Sequence, residues 1–201
     1  MNRDWTGNKK STFTTLGASS HSDHDREGND YYATEPRVIK ELFSVEDFHD
    51  LIWEPACGEG HLSREMEKLG KHVRSTDLIY RGYGTGKSDF LLWRKEDEIG
   101  VSGFGGDIIT NPPYKFAQEF CEKAIELTGN KVAMFLKLTF LEGQKRKKFF
   151  EKYPPKKIYV YSSRRKCALN GDFDSTGSSA AAYAWFVWEK GFVGKPTVEW
   201  I

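Results

Sequence analysis

Short apolar runs and amphipathic stretches alternate along this chain once the first thirty or so residues are passed. Leu51-Ile52-Trp53-Glu54 reads as a buried strand, and a helix is predicted from about His61 to Leu69. His72-Val73-Arg74-Ser75-Thr76-Asp77 follows as a second strand. The β-branched run in Asp107-Ile108-Ile109-Thr110 is a further buried strand, ended abruptly by Pro112 and Pro113. Phe116, Phe120, Ala124 and Leu127 recur at helical spacing and predict a helix from Phe116 to about Leu127. Lys131 to Leu138 is an apolar strand, and Leu141 to Tyr153 is an amphipathic helix broken by Pro154-Pro155. Lys157 to Tyr161 is the next strand, and Ala181 to Trp188 reads as the final one. Near the start, Val38, Ile39, Leu42 and Phe43 give a helical stripe, with Thr34 as its expected N-cap and Pro36 in its first turn. The strand, glycine turn and helix around residue 58 form the first half of a nucleotide-binding α/β unit.

Three stretches lack such periodicity. Met1 to about Asp30 is polar and charged, and is expected to be a flexible arm. His21 and His24 with Asp23 and Asp25 belong to that arm, where nothing would hold metal ligands rigid. Tyr80 to Lys87 carries Gly82, Gly84 and Gly86, but it lacks the leading strand and capped helix of a phosphate loop. Ser162 to about Ser179 is a long polar loop of the kind that is usually functional or mobile. The 201 residues therefore divide into an arm, 1–30, and one domain, 31–201.

Composition narrows the class. A net charge of +1 excludes a global basic field, so any nucleic-acid surface must be local. Three cysteines, Cys57, Cys121 and Cys167, cannot all pair and lack zinc-site spacing, which predicts reduced thiols, no metal and a cytoplasmic protein. No apolar run approaches a membrane span, and the start is not a signal peptide.

The candidate chemistry lies at Asn111-Pro112-Pro113-Tyr114. The two prolines leave main-chain carbonyls facing outward, Asn111 adds a side-chain acceptor, and Tyr114 adds a flat ring with a polar tip. Two acceptors beside an aromatic plate suit a planar substrate with an exocyclic amino group. Upstream, Glu54 ends a strand where it can take an ammonium group, and Gly58 and Gly60 permit close backbone approach. Asp77 ends the next strand, where a carboxylate can accept both hydroxyls of a ribose, and Leu78 or Ile79 could flank an adenine. Ser88 or Asp89 is an expected helix N-cap. The basic run Lys145-Arg146-Lys147-Lys148 is by default a solvated helix face, and beside a nucleobase site it becomes a phosphate clamp.

On Asn111-Pro112-Pro113-Tyr114 and Glu54-Pro55-Ala56-Cys57-Gly58-Glu59-Gly60 the chain resembles the class I S-adenosylmethionine-dependent amino-methyltransferases. The resemblance implies an α/β, Rossmann-like three-layer sandwich whose mostly parallel sheet has an antiparallel C-terminal strand. It implies S-adenosylmethionine as cofactor, held by Glu54, Pro55, Ala56, Cys57, Gly58 and Gly60, by Asp77 and Leu78, by Asp89 and Phe90 beside the adenine, and by Asn111. Tyr32, Thr34 and Pro36 match a segment that such enzymes place beside the methionine end, with Glu35 inserted. The segment order is similar to the gamma arrangement of small phage- and prophage-type adenine enzymes, without their usual target-recognition domain. Specificity is then expected to be short, or to come from loops and a partner. The implied activity is methylation of a flipped base, most simply adenine N6 in DNA, with Asn111, Pro112, Pro113 and Tyr114 catalytic. Lys145, Arg146, Arg164, Arg165 and Lys166 are the expected nucleic-acid contacts. Alternatives are a methyltransferase acting on RNA adenine or on a protein glutamine amide, and a non-catalytic cofactor- or nucleic-acid-binding protein. Nothing in the sequence fixes the oligomeric state.

Overall fold

The computed structural model describes residues 33–97, 103–165, 167–168 and 181–201. The expected arm, together with Tyr32 and Lys166, lies outside the described residues. Strand β1 (Ala33–Thr34) leads to helix α1 (Arg37–Phe43), then β2 (Leu51–Glu54), α2 (His61–Lys68) and β3 (His72–Ser75). After them come β4 (Asp107–Thr110), α3 (Ala117–Leu127), β5 (Lys131–Lys137), α4 (Gln144–Lys152) and β6 (Lys157–Val160). The last strands are β7 (Cys167–Ala168), β8 (Tyr183–Glu189) and β9 (Thr197–Trp200).

Seven strands form one sheet in the order β3-β2-β4-β5-β8-β6-β9. All neighbours run parallel except at β8, which is antiparallel to both β5 and β6. β4 is buried at every position, and β5 at all but its two ends, as expected of strands covered on both faces. Successive residues divide between two cores. Trp53, Ile108, Met134 and Phe186 face one layer with Phe120, Cys121 and Leu127 of α3 and Phe149 of α4. Ile52, Ile109, Ala133 and Trp185 face the other with Val38 and Leu42 of α1 and Leu62 and Met66 of α2. The period-2 alternation of the strands thus produces three layers. Asp107 fastens the lower end of β4 by accepting from the main-chain N–H groups of His49 at 2.6 Å and Lys131 at 2.8 Å.

Three sequence expectations are corrected. Thr34 is no helix cap: Pro36 occupies that position and α1 has no side-chain cap bond. The backbone of Thr34 pairs instead with β7, antiparallel, opposite Cys167. Ala181 to Trp188 is antiparallel but does not end the sheet, because β9 follows and pairs parallel with β6 at its edge. All four residues of β9 are exposed, so its short alternation, Thr197-Val198-Glu199-Trp200, marks no buried face. Phe116 is 42% exposed in a 3₁₀ turn, Tyr114–Phe116, so the buried stripe of α3 begins at Ala117 rather than at Phe116.

β2 has β3 on one side and β4 on the other, so the chain leaves its carboxyl end in opposite directions on successive passes. In an open α/β sheet that switch opens a crevice above the strand ends, where ligands bind.

Candidate functional site

The crevice holds a cavity of about 660 Å³, within the usual size for a cofactor or small ligand. Its lining joins the ends of β2, β3 and β4: Glu54, Pro55, Ala56 and Cys57 from the first, Asp77 and Leu78 beyond the second, and Asn111 through Tyr114 from the third. Asp89 and Phe90 close one side and Thr34 another. Most sequence-predicted residues therefore meet in one place. Gly58, Gly60 and Pro36 are not part of the cavity wall.

The glycine turn is held by the strand beside it. Asp77 accepts from the Gly58 N–H through one carboxylate oxygen at 2.8 Å and from the Ile79 N–H through the other at 2.9 Å. Cys57 N–H donates to the Thr76 carbonyl at 3.0 Å. Gly60 has φ +80°, and a Cβ there would lie 2.2 Å from the Tyr83 ring. A side chain at this position meets both backbone strain and a clash.

Glu54 is 1% exposed at the floor of the cavity. Burial raises its carboxyl to about 8, and the nearby Asp77 carboxylate adds to the rise. The Ser63 hydroxyl of α2 donates to it and pulls the other way. Ser63 Oγ in turn lies 2.6 Å from Ser75 Oγ at the end of β3. A buried carboxylate with a hydroxyl on one side is suited to meet a cation that enters from the cavity. Burial also pushes the Cys57 thiol up to about 12, so this cysteine is an inert wall residue.

Asp89 accepts from Leu91 N–H at 3.0 Å and caps the 3₁₀ turn Phe90–Leu92. The Phe90 ring is 1% exposed, 5.2 Å from Trp53 edge-on and 5.0 Å from Phe120. Its larger part is core, and it backs the cavity.

At the end of β4, Asn111 Nδ2 donates to the Thr34 hydroxyl at 2.7 Å. The Tyr114 hydroxyl is 3.1 Å from that of Tyr183, and Lys137 Nζ lies over the Tyr114 ring at 4.3 Å from its centroid. Tyr183 stacks on Phe135 with centroids 5.0 Å apart and planes 5° from parallel. Tyr114 therefore stands on an aromatic column rooted in the core. A second, more open depression of about 690 Å³ shares Tyr114 and Lys115 with the first. Lys145 and Arg146 line it.

The basic residues separate by role. Lys145 and Arg164 are exposed. Arg146 donates to the Thr139 carbonyl at 2.9 Å and covers the Phe140 ring. Arg165 is 7% exposed, with its guanidinium gripping both oxygens of Glu41 at 3.0 and 2.8 Å and resting on Tyr161. Those commitments remove Arg165 from the predicted phosphate contacts; it fastens the segment after β6 to α1. His61, Arg81 and Lys115 also line the cavity and were not singled out from sequence. His61 follows the glycine turn directly and Lys115 follows Tyr114, so adjacency to the motifs was the available signal. Among the described residues no group of three or more His, Cys, Asp or Glu could hold a metal ion, and no helix is long and apolar enough to cross a membrane.

No protein-family model and no curated protein sequence matches this chain. Solved structures do. The chain is similar to a protein designated a class I S-adenosylmethionine-dependent methyltransferase from Listeria monocytogenes, with TM-score 0.53 and 14% identity over 94% of this chain and 68% of that one. It is similar to the 23S rRNA methyltransferase ErmE, with TM-score 0.55 and 13% identity over 82% and 73%. A protein designated the modification subunit of a type I restriction enzyme from Vibrio vulnificus YJ016 gives TM-score 0.56 and 13% identity over 96% of this chain and 52% of its own length. At these identities the likeness shows the fold: an α/β sandwich of the class I methyltransferase type.

Proposed function

We propose that this chain transfers a methyl group from S-adenosylmethionine to the exocyclic amino nitrogen of a flipped nucleobase, adenine N6 in DNA. One observation carries the reading: Asn111-Pro112-Pro113-Tyr114 and the carboxylates of Glu54 and Asp77 line the same cavity at the switch point of a class I methyltransferase sheet. The solved structures of similar fold include an rRNA methyltransferase and a protein designated the modification subunit of a type I restriction enzyme, which supports the substrate class.

The residues present fit the cofactor. A buried Glu54 at the floor is placed to receive an ammonium, and Asp77, at the rim of the glycine turn, to receive ribose hydroxyls. Leu78 and Asp89, with Phe90 behind, form the side that would take an adenine. When bound, S-adenosylmethionine supplies an electrophilic methyl group on a sulfonium. Everything else is positioning and electrostatics by the chain itself.

Flipping the target base costs a few kcal/mol of unstacking. Lys137 covers one face of Tyr114, so the base stacks on the opposite face of that ring. The Asn111 carboxamide oxygen and the Pro112 carbonyl accept the two amino hydrogens. Those bonds draw the nitrogen lone pair out of conjugation and aim it along the axis of displacement. Held between Glu54 and Asp77, S-adenosylmethionine would supply its methyl group to that nitrogen and keep the electron pair of the broken bond on its sulfur. The proton that the nitrogen must then shed is held by the same two acceptors until it passes to water. Lys115, Lys145 and Arg164 are the exposed cations offered to the phosphates.

Labelled cofactor incubated separately with DNA, RNA and protein, followed by nucleoside digestion and mass spectrometry, tests the reading. N6-methyladenine in DNA is expected. Label confined to RNA or to a protein amide would move the substrate class, N4-methylcytosine would overturn the choice of base, and no transfer to any acceptor would overturn the activity.

A further inference from the structure

The contact between Asn111 and Thr34 spans 77 positions of sequence, and both residues line the cavity. Thr34 is 3% exposed. Its main chain is fixed from the far side by antiparallel pairing of Ala33 with Ala168 and of Thr34 with Cys167. The hydroxyl therefore sits at a set point when it accepts from Asn111 Nδ2 at 2.7 Å. A carboxamide carries its oxygen and its NH₂ on opposite sides of one carbon. With the NH₂ bound to Thr34, the oxygen is the end turned away from Thr34. The reversed amide would present N–H groups to an incoming amino group, donor against donor.

We infer that Thr34 is a positioning residue for Asn111, whose hydroxyl, by accepting from Nδ2, holds the carboxamide against rotation with its oxygen toward the substrate amino nitrogen. The inference rests on the amino-methyltransferase reading above, and it moves Thr34 from a cofactor contact to the acceptor side of the reaction. It also gives the β1–β7 pair a purpose. Two residues of strand on each side are too short to add much stability, and they hold one hydroxyl against one catalytic amide.

The test uses Thr34→Val, which keeps the shape and removes the hydroxyl, and Thr34→Ser, which restores it. Thr34→Val should lower kcat about tenfold, the effect of losing one ordinary hydrogen bond at the reacting group, while affinity for S-adenosylhomocysteine changes less than about twofold. Thr34→Ser should recover most of that loss. In an Asn111→Ala background Thr34→Val should cost nothing further, because the two act as a unit. A second readout does not depend on turnover: the Asn111 side-chain amide protons, followed by ¹⁵N NMR, should exchange with solvent faster in Thr34→Val than in wild type or Thr34→Ser. Unchanged kcat and amide exchange in Thr34→Val would overturn the inference, as would additive losses with Asn111→Ala or a loss confined to cofactor affinity. Wild-type protein that shows the protected Asn111 amide but transfers methyl to no acceptor would leave the bond standing and sink both the activity and the role assigned to it.

Discussion

At the scale of single residues, the site asks most of Asn111, Tyr114 and Glu54. On the proposed reading, Asn111 accepts most strongly as the substrate nitrogen becomes tetrahedral, so its contact belongs to the transition state. Asn111→Ala should lower kcat by about 10²-fold or more with little change in cofactor affinity, read by methyl transfer and calorimetry. A fully active variant would remove Asn111 from catalysis. Tyr114→Ala should lose the stacking contribution of roughly 1–3 kcal/mol, whereas Tyr114→Phe keeps the ring and loses the hydroxyl that meets Tyr183. Glu54 makes a prediction about protons. Its carboxyl is raised from 4.5 to about 8 by burial, so its stability contribution in the ligand-free protein is complete below about 4.5 and is lost as pH rises through about 8. An ammonium bound beside it favours the carboxylate. Cofactor binding at pH 7 should therefore expel a proton from Glu54, seen as a buffer-dependent heat, and Glu54→Gln should abolish that release. Equal heats in buffers of different ionisation enthalpy would show that Glu54 meets no cation.

At the scale of elements, the glycine turn after β2 and the end of β3 are one unit because Asp77 ties them. The carboxylate has spare lone pairs, so holding the turn and accepting from a ribose are compatible. Asp77→Ala should weaken S-adenosylmethionine binding by about 1–3 kcal/mol and also speed amide exchange at Gly58 and Ile79. Lost affinity without faster exchange would assign Asp77 to the ligand alone. Unchanged affinity in a folded variant would take it out of the site. The ion pair of Arg165 with Glu41 does the comparable work between the segment after β6 and α1.

At the scale of the whole molecule, a nearly neutral chain must gather its cations to engage a polyanion. The log of DNA affinity should fall against log salt with a slope of about −0.9 for each phosphate contacted. Neutralising Lys145 and Arg164, both exposed, should flatten that slope by about one to two units. Arg165→Ala should leave the slope alone and instead cost roughly 1.5–3 kcal/mol of stability, measured by denaturant unfolding, because its guanidinium is committed inside the fold. An altered slope with unchanged stability would reverse these roles.

What the sequence determined by itself is what local chemistry encodes. The apolar runs of β2, β4 and β5 are legible because strands buried on both faces must be apolar throughout, and proline and glycine mark their ends. The motif from Asn111 to Tyr114 and the turn from Glu54 to Gly60 are legible because each is contiguous. Only the tertiary structure decided the relations across distance. It paired Thr34 with β7 rather than with a helix, through partners more than 130 positions away that no local propensity reports. It buried Arg165 on Glu41, so a basic residue that reads as a phosphate contact became a fastening. It added β9, a four-residue edge strand with every side chain exposed, whose place is set by main-chain pairing with β6 and by the ion pair of Lys157 with Glu199. It set Lys137 over one face of the Tyr114 ring, a contact no local pattern reports. Burial and pairing of this kind depend on which surfaces meet, and that is decided only when the sheet closes over both cores.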